Sequence, residues 1–161
     1  MVRPINPARD AEIELVAQRM RATLIEVLGE ERGVAMYTPE SLSDRVRFHL
    51  DPSRCTGEVL LAETDGEVCG HTIVRVQEES GSPVGLFSTI YVDPRHRGKG
   101  VATALLERGE EWMRARGMAE FVTYTAPWNE TLRHILTARG YDCEPVNDEF
   151  VRLRFRPLHP G

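Results

Sequence analysis

Ile13, Val16, Met20, Leu24 and Leu28 recur three or four residues apart. That period puts one apolar stripe on a helix of about twenty residues, entered at Ala8 or Arg9 and stopped by Gly29. Before it, Met1 to Asn6 reads as a short strand ended by Pro7. After it, Glu30 to Tyr37 is a connection. Thr38-Pro39-Glu40 then pairs an N-cap with proline at the first helical position, so a second helix is expected to about Leu50, carrying Leu42, Val46 and Phe48. The pattern next shortens to strands. Val59, Leu60 and Leu61 form one, Asp65-Gly66 is a hairpin turn, and Val68 to Val76 is the return strand. Glu78 to Pro83 is a polar stretch, with Glu78 and Glu79 expected in a solvated loop. Phe87, Ile90, Tyr91 and Val92 mark another strand, closed by Asp93-Pro94.

Val101, Ala102, Leu105 and Leu106 return to helical spacing, in a helix expected to reach about Arg116 with Gly117 as its cap and with Trp112 and Met113 in the core. Phe121 to Thr125 is a strand stopped at Ala126-Pro127. Asn129 caps a helix to about Ala138, Gly140-Tyr141 turns the chain, and a last strand pair includes Phe150 to Phe155. Leu158 to Gly161 reads as a loose tail. The resulting order, β-α-α-β-β-β-α-β-α-β-β, is that of an α/β fold around a mixed sheet. At 161 residues, it is expected to be one domain spanning 1–161.

Composition narrows the class. A net charge of −5 argues against a nucleic-acid binder, which carries a basic surplus. No apolar run approaches the roughly 20 residues of a membrane span, and the N-terminal residues have no apolar leader core. Three widely spaced cysteines (Cys55, Cys69, Cys143) point to free thiols in a reducing compartment, so a cytoplasmic location is expected. The histidines and cysteines show no ligand spacing, and no metal is expected.

The chemistry concentrates between the strand ending at Val92 and the helix beginning near Val101. The intervening turn, Arg95-His96-Arg97-Gly98-Lys99-Gly100, is basic and punctuated by glycine. A helix start leaves its first N–H groups unpaired and partly positive, and glycine lets that backbone approach an anion closely. Strand, turn and helix start therefore make a place for a phosphate or pyrophosphate. The Walker pattern is absent because Gly100, not serine or threonine, follows Lys99. The dinucleotide pattern fails because Thr103 stands where its third glycine belongs.

Arg97-x-x-Gly100-x-Ala102, directly after Val92-Asp93-Pro94, resembles the [QR]-x-x-G-x-[GA] signature of the GCN5-related N-acetyltransferases, which bind acetyl-coenzyme A. The element order resembles that family along nearly the whole chain. The resemblance implies the acyl-CoA N-acyltransferase fold, with its sheet splayed at the strand pair that holds the cofactor. Its expected function is transfer of an acetyl group from acetyl-CoA to a primary amine of a small molecule, peptide or protein, by direct attack in a ternary complex. Ile90, Tyr91 and Val92 would pair with pantetheine. The loop amides of Arg97, Gly98, Lys99, Gly100, Val101 and Ala102 would hold the pyrophosphate, helped by the Thr103 hydroxyl. The pattern N-x-x-A-x-x-x-Y-x-x-x-G-[FY] maps onto Asn129 to Tyr141, with Asn129 on the pantetheine arm.

Two positions depart from that pattern. Leu132 replaces a small residue, and Leu136 stands where many members place a tyrosine that protonates the departing thiolate. Ser88 occupies the usual position of a basic group and is read either as an ordinary strand serine or as the holder of a relay water. Tyr124 is either a packing residue or a substitute acid, and His71 either structural or a base facing the acceptor. The acceptor is expected against the first two helices, their connection from Gly29 to Pro39, and the last strand pair. A coenzyme-binding sensor or scaffold without transfer is the alternative reading, and a homodimer is left open.

Overall fold

The computed structural model describes residues 1–29, 31 and 38–157. The expected connection from Glu30 to Tyr37, Glu31 apart, and the tail from Leu158 lie outside the described residues. The elements are β1 (Val2–Pro4), α1 (Asp10–Leu28), α2 (Pro39–Leu50), β2 (Gly57–Thr64), β3 (Glu67–Glu79), β4 (Ser82–Val92), α3 (Val101–Ala115), β5 (Phe121–Thr125), α4 (Glu130–Ala138), β6 (Asp142–Pro145) and β7 (Val151–Phe155). Their order is the predicted one. The strands form a single seven-stranded sheet in the order β1-β2-β3-β4-β5-β7-β6. Every neighbouring pair is antiparallel except β4 and β5, which run parallel. Helix α3 connects that pair.

The predicted caps form as residue chemistry dictates. Thr38 accepts from the Ser41 amide while Ser41 accepts from the Thr38 amide, a reciprocal capping box that fixes the start of α2. Gly29 ends α1 at φ 90°, in the left-handed region. One core lies between the sheet and α1/α2, built from Ile13, Val16, Met20, Leu42, Val46, Val59, Leu61 and Ile73. A second lies between the sheet and α3/α4, where Trp112 and Met113 pack with Val74, Phe87, Leu106, Phe121, Leu136, Tyr141 and Leu153. Gly109 lets α3 settle on the sheet, because a Cβ there would run into the Phe87 ring and Val74.

Two expectations change. His49 rather than Phe48 fills the core side of α2: His49 is 1% exposed, while Phe48 is half-buried. The ring's Nδ1 meets the Arg45 carbonyl at 2.9 Å, which allows a polar residue inside. The polar stretch from Glu78 to Pro83 is not a loop. β3 runs through Glu79, and Ser80 (φ 51°) with Gly81 (φ 82°) makes a two-residue turn into β4. Paired left-handed residues match the twist of a hairpin, and this outweighs the polarity of the stretch.

Candidate active site

The site begins where β4 leaves β5. Parallel pairing covers Gly85↔Phe121, Leu86↔Val122 and Phe87↔Thr123, then ends, although both strands continue. At the same level the β3–β4 register jumps, from Ile73↔Thr89 to Val74↔Phe87, so Ser88 is the extra residue of a β-bulge. A bulge bends its strand, and here it turns β4 from Ser88 onward away from β5. The backbone of Ile90, Tyr91 and Val92 is therefore paired to β3 on one edge and, among the described residues, has no strand partner on the other. All three residues are partly exposed. An open strand edge inside a sheet is a ready partner for the amides of an extended ligand.

Beyond Val92 the chain makes the predicted turn. Asp93 accepts from the Arg95 amide and caps a short 3₁₀ turn over Pro94–His96. That hydrogen bond, and then the Arg95 charge, hold the Asp93 carboxyl below its ordinary range, although burial opposes them. The Arg97 amide donates to the Pro94 carbonyl at 3.4 Å, and its Nε donates to the Val92 carbonyl at 3.0 Å. Arg97 thus ties the loop to the end of β4, and the group of amides available for an anion starts at Gly98. Gly98 (φ 77°) and Gly100 (φ 83°) both adopt left-handed conformations, and a Cβ on either would meet no atom of the described residues within 4 Å. The bond from the Ala104 amide to the Gly100 carbonyl (3.0 Å) opens the ladder of α3 and leaves the amides ahead of it, Val101 to Thr103, for a ligand. Lys99 and Thr103 are exposed beside them. Open space in front of two glycines and a helix start, under a basic loop, fits a pyrophosphate.

Asn129 caps α4, accepting from the Leu132 amide (3.3 Å) and donating to the Thr125 hydroxyl (3.0 Å). One amide hydrogen and one lone pair remain for a pantetheine amide. Leu136 is fully buried in the α3/α4 core. Tyr124 is 37% exposed, but its hydroxyl donates to Glu79 Oε2 (3.0 Å) and accepts from Arg152 Nε (3.2 Å). Burial is the first cause that raises the phenol's pKa. Glu79, expected in solvent, is held by Arg152 at 2.8 Å.

His71 lies opposite Tyr91, stacked on its ring at 5.6 Å, and is completely buried. Among the described residues neither ring nitrogen has a partner. Burial first, and the Arg19 charge second, push its pKa down to about 3, so the ring is neutral at ordinary pH. The predicted residues thus gather in part. The splayed strand runs directly into the loop and Asn129 is tied to Thr125 at the end of β5, the other arm of the splay, while Leu136 belongs to the core and Tyr124 to an ion-pair network.

Thr72 and Thr123 carry roles that the sequence reading did not assign. Thr72 donates to the Thr89 carbonyl (2.8 Å) and Thr123 to the Phe87 carbonyl (2.9 Å), one on each side of the bulge. Their only sequence signal was a hydroxyl among apolar strand positions. Arg75, Gln77 and Glu79 repeat every second residue of β3 and so share one face. That alternation could have been read, but the polar stretch after it obscured the end of the strand.

Residues 21–141 match the acetyltransferase (GNAT) family, and the chain belongs to it. The chain is 29% identical over 107 residues to a mycothiol acetyltransferase of Propionibacterium freudenreichii, covering 66% of this chain and 33% of that protein. It is 37% identical over 73 residues to an aminoglycoside N(6′)-acetyltransferase of Stenotrophomonas maltophilia, covering 42% of this chain and 48% of that one. The chain therefore spans less than half the length of either relative. In structure it resembles the PaiA N-acetyltransferase of Thermoplasma acidophilum, solved in complex with coenzyme A, with a TM-score of 0.77 over 98% of each chain at 14% identity. That likeness concerns the fold, including the predicted sheet and its element order.

Proposed function

We propose that the protein transfers an acetyl group from acetyl-CoA to a primary amine, as one domain over 1–161 acting in the cytoplasm. The observation that carries this reading is the bulge at Ser88, which opens β4 directly ahead of the glycine-flanked start of α3. Acetyl-CoA supplies an activated thioester. The amides from Gly98 to Thr103 hold its pyrophosphate, with Lys99 and the Thr103 hydroxyl adding charge and a further hydrogen bond. The open edge of Ile90, Tyr91 and Val92, together with Asn129, holds the pantetheine arm extended. A backbone N–H of that edge stabilises negative charge developing on the carbonyl oxygen. Alignment of two substrates in one cleft supplies much of the remaining acceleration.

No side-chain base is assigned. His71 is sealed and neutral, Tyr124 is engaged with Glu79 and Arg152, and Ser88 can only order a water. The amine proton leaves through water. Family relatives named for an aminoglycoside and for mycothiol support a small-molecule acceptor. The test is release of free coenzyme A thiol across a panel of primary amines. Amine-dependent thiol is expected. Tight coenzyme A binding with thiol release at the blank rate for every amine would favour the sensor reading instead.

A further inference from the structure

An open groove of about 410 Å³ lies beside the end of α2, lined by Phe48, Arg54, Cys55, Thr56, Arg75, Val76 and Gln77. That volume is in the range of small-molecule sites. Its walls are cationic in a protein whose net charge is −5. Two guanidinium groups lie against the Phe48 ring, Arg45 at 4.9 Å and Arg54 at 5.1 Å from its centroid. Arg75 is half-buried, and its hydrogen-bond partners among the described residues are neutral: Nη1 lies 3.4 Å from His49 Nε2, and Nη2 donates to Gln77 Oε1 at 2.8 Å. His49 is buried and neutral, its pKa pushed down to about 4 by burial first and then by the charges of Arg45 and Arg75. With its Nδ1–H on the Arg45 carbonyl, its bare Nε2 accepts from Arg75 and aims that guanidinium.

Nearby acids offset this group only in part, Asp51 acting on Arg54 and none pairing with Arg75 among the described residues. Gln77 separates Arg75 from Glu79, whose carboxylate already holds Arg152 and Tyr124. Asp51, whose field reaches Arg54, accepts from the Ser53 amide (3.0 Å) and hydroxyl (2.7 Å). Burial raises the Cys55 thiol's pKa, so it adds no negative charge. Among the described residues, the ion pairs leave out Arg45, Arg54 and Arg75. Arg75 is the half-buried member of the group, and holding its charge partly out of water with other cations near is costly unless an anion joins them.

The groove also sits within reach of the splay. Arg75 lies opposite Leu86, two residues along β4 from the bulge at Ser88, a step of roughly 7 Å along the strand and about 5 Å across. Strand alternation places Arg75 on the face of Ile73, the face covered by α1 and α2. We propose that this groove is the subsite for an oxyanion, a carboxylate or phosphate, carried by the acceptor itself. Arg75 and Arg54 grip the anion, Phe48 supports the adjoining apolar part, and the amine reaches toward Ser88 roughly 10 Å away. The inference rests on the transferase reading for the identity of the ligand, and on the groove alone for its charge.

The experiment compares 6-aminohexanoate with hexylamine, which share the amine and the chain but not the carboxylate. The kcat/KM for 6-aminohexanoate should exceed that for hexylamine at least about tenfold, the equivalent of one charge-assisted contact of roughly 1.4 kcal/mol. Arg75→Gln and the exposed Arg54→Gln should each reduce that ratio, and the second guards against loss of folding in the first. Independently of turnover, hexanoate should shift the arginine Nε–Hε resonances that Arg75→Gln and Arg54→Gln remove, and hexylamine should not. Turnover of both amines with no preference and no hexanoate-induced shift would overturn the inference and leave the transferase reading standing. A hexanoate-induced shift without amine-dependent thiol release for any acceptor would overturn the transferase reading and support the anion site.

Discussion

The Thr123 hydroxyl donates to the Phe87 carbonyl at 2.9 Å, at the last level where β4 and β5 still pair. Both residues are buried, and the bond closes the sheet where the splay begins. In Thr123→Val the carbonyl loses this partner inside the core, a loss of about 1–3 kcal/mol. Thr123→Ser keeps the hydroxyl and should recover most of it. Urea unfolding should rank the variants in that order, and coenzyme A affinity measured by calorimetry should follow the same order. Equal coenzyme affinity in all three would separate the splay from binding.

Gly100 is held at φ 83°, and a Cβ there would meet no atom of the described residues within 4 Å. Gly100→Val should therefore leave the packed fold intact while opposing the left-handed backbone by about 1–2 kcal/mol. The same side chain would project into the space where the pyrophosphate is expected, so coenzyme A affinity should fall about tenfold or more. Gly100→Asp adds charge repulsion and should be worse still. Unchanged affinity in calorimetry would move the pyrophosphate away from this loop.

The fold and loop were legible because local chemistry decides them. Thr38-Pro39, Asp65-Gly66, Asp93-Pro94 and Asn129 each act within a few residues of themselves, and each occupies its expected place. The splay of β4 was legible through family resemblance, but its origin at Ser88 was not, since nothing in Phe87-Ser88-Thr89 announces an extra residue. The environments of Leu136, Tyr124 and His71 were not legible. They depend on which strands and helices close over them, as with Tyr124 and Glu79, 45 positions apart in the chain. Arg75 escaped notice for the same reason, because its aim is set by His49 on α2.

Leu136→Tyr is expected to behave opposite to a simple restoration of the family's tyrosine. Leu136 is fully buried against Phe87, Tyr141 and Leu153. A larger ring in that core is expected to cost about 1–3 kcal/mol through strain, and it would carry a hydroxyl into a cluster of apolar side chains. Thermal unfolding should show a clear loss, with no gain in turnover and no new alkaline limb in the pH–rate profile. A stable variant with faster turnover would show that the position faces the reacting sulfur.

Two buried histidines set the stability profile in mild acid. His71 and His49 are held neutral, with pKa values of about 3 and about 4, while in the unfolded chain they take up protons near pH 6.5. The unfolded state then binds more protons, so stability should fall as pH drops below about 6.5 and stay flat in this respect above it. Between pH 6.5 and about 5 the carboxylates remain ionised, so the slope there reports the histidines. His71→Leu should reduce that slope by about half. An unaltered slope would mean that the ring gains its proton without unfolding.

The same neutrality of His71 bears on the reaction. An alkyl amine with a pKa near ~10 is almost wholly protonated at pH 7, and only its neutral form attacks. With no tuned base assigned among the described residues, the proposed course is that the rare neutral form attacks and its proton passes to water. Log kcat/KM should then rise with unit slope below the acceptor's own pKa, and its break should move when acceptors of different basicity are compared. A histidine base would instead place a fixed inflection near ~6.5, whichever acceptor is used. His71 is completely buried and lacks a partner for either nitrogen among the described residues, so no such inflection is expected from it. Should a fixed inflection appear and then vanish in His71→Leu while coenzyme A still binds, His71 is the base and opening of the α1 face exposes it during turnover.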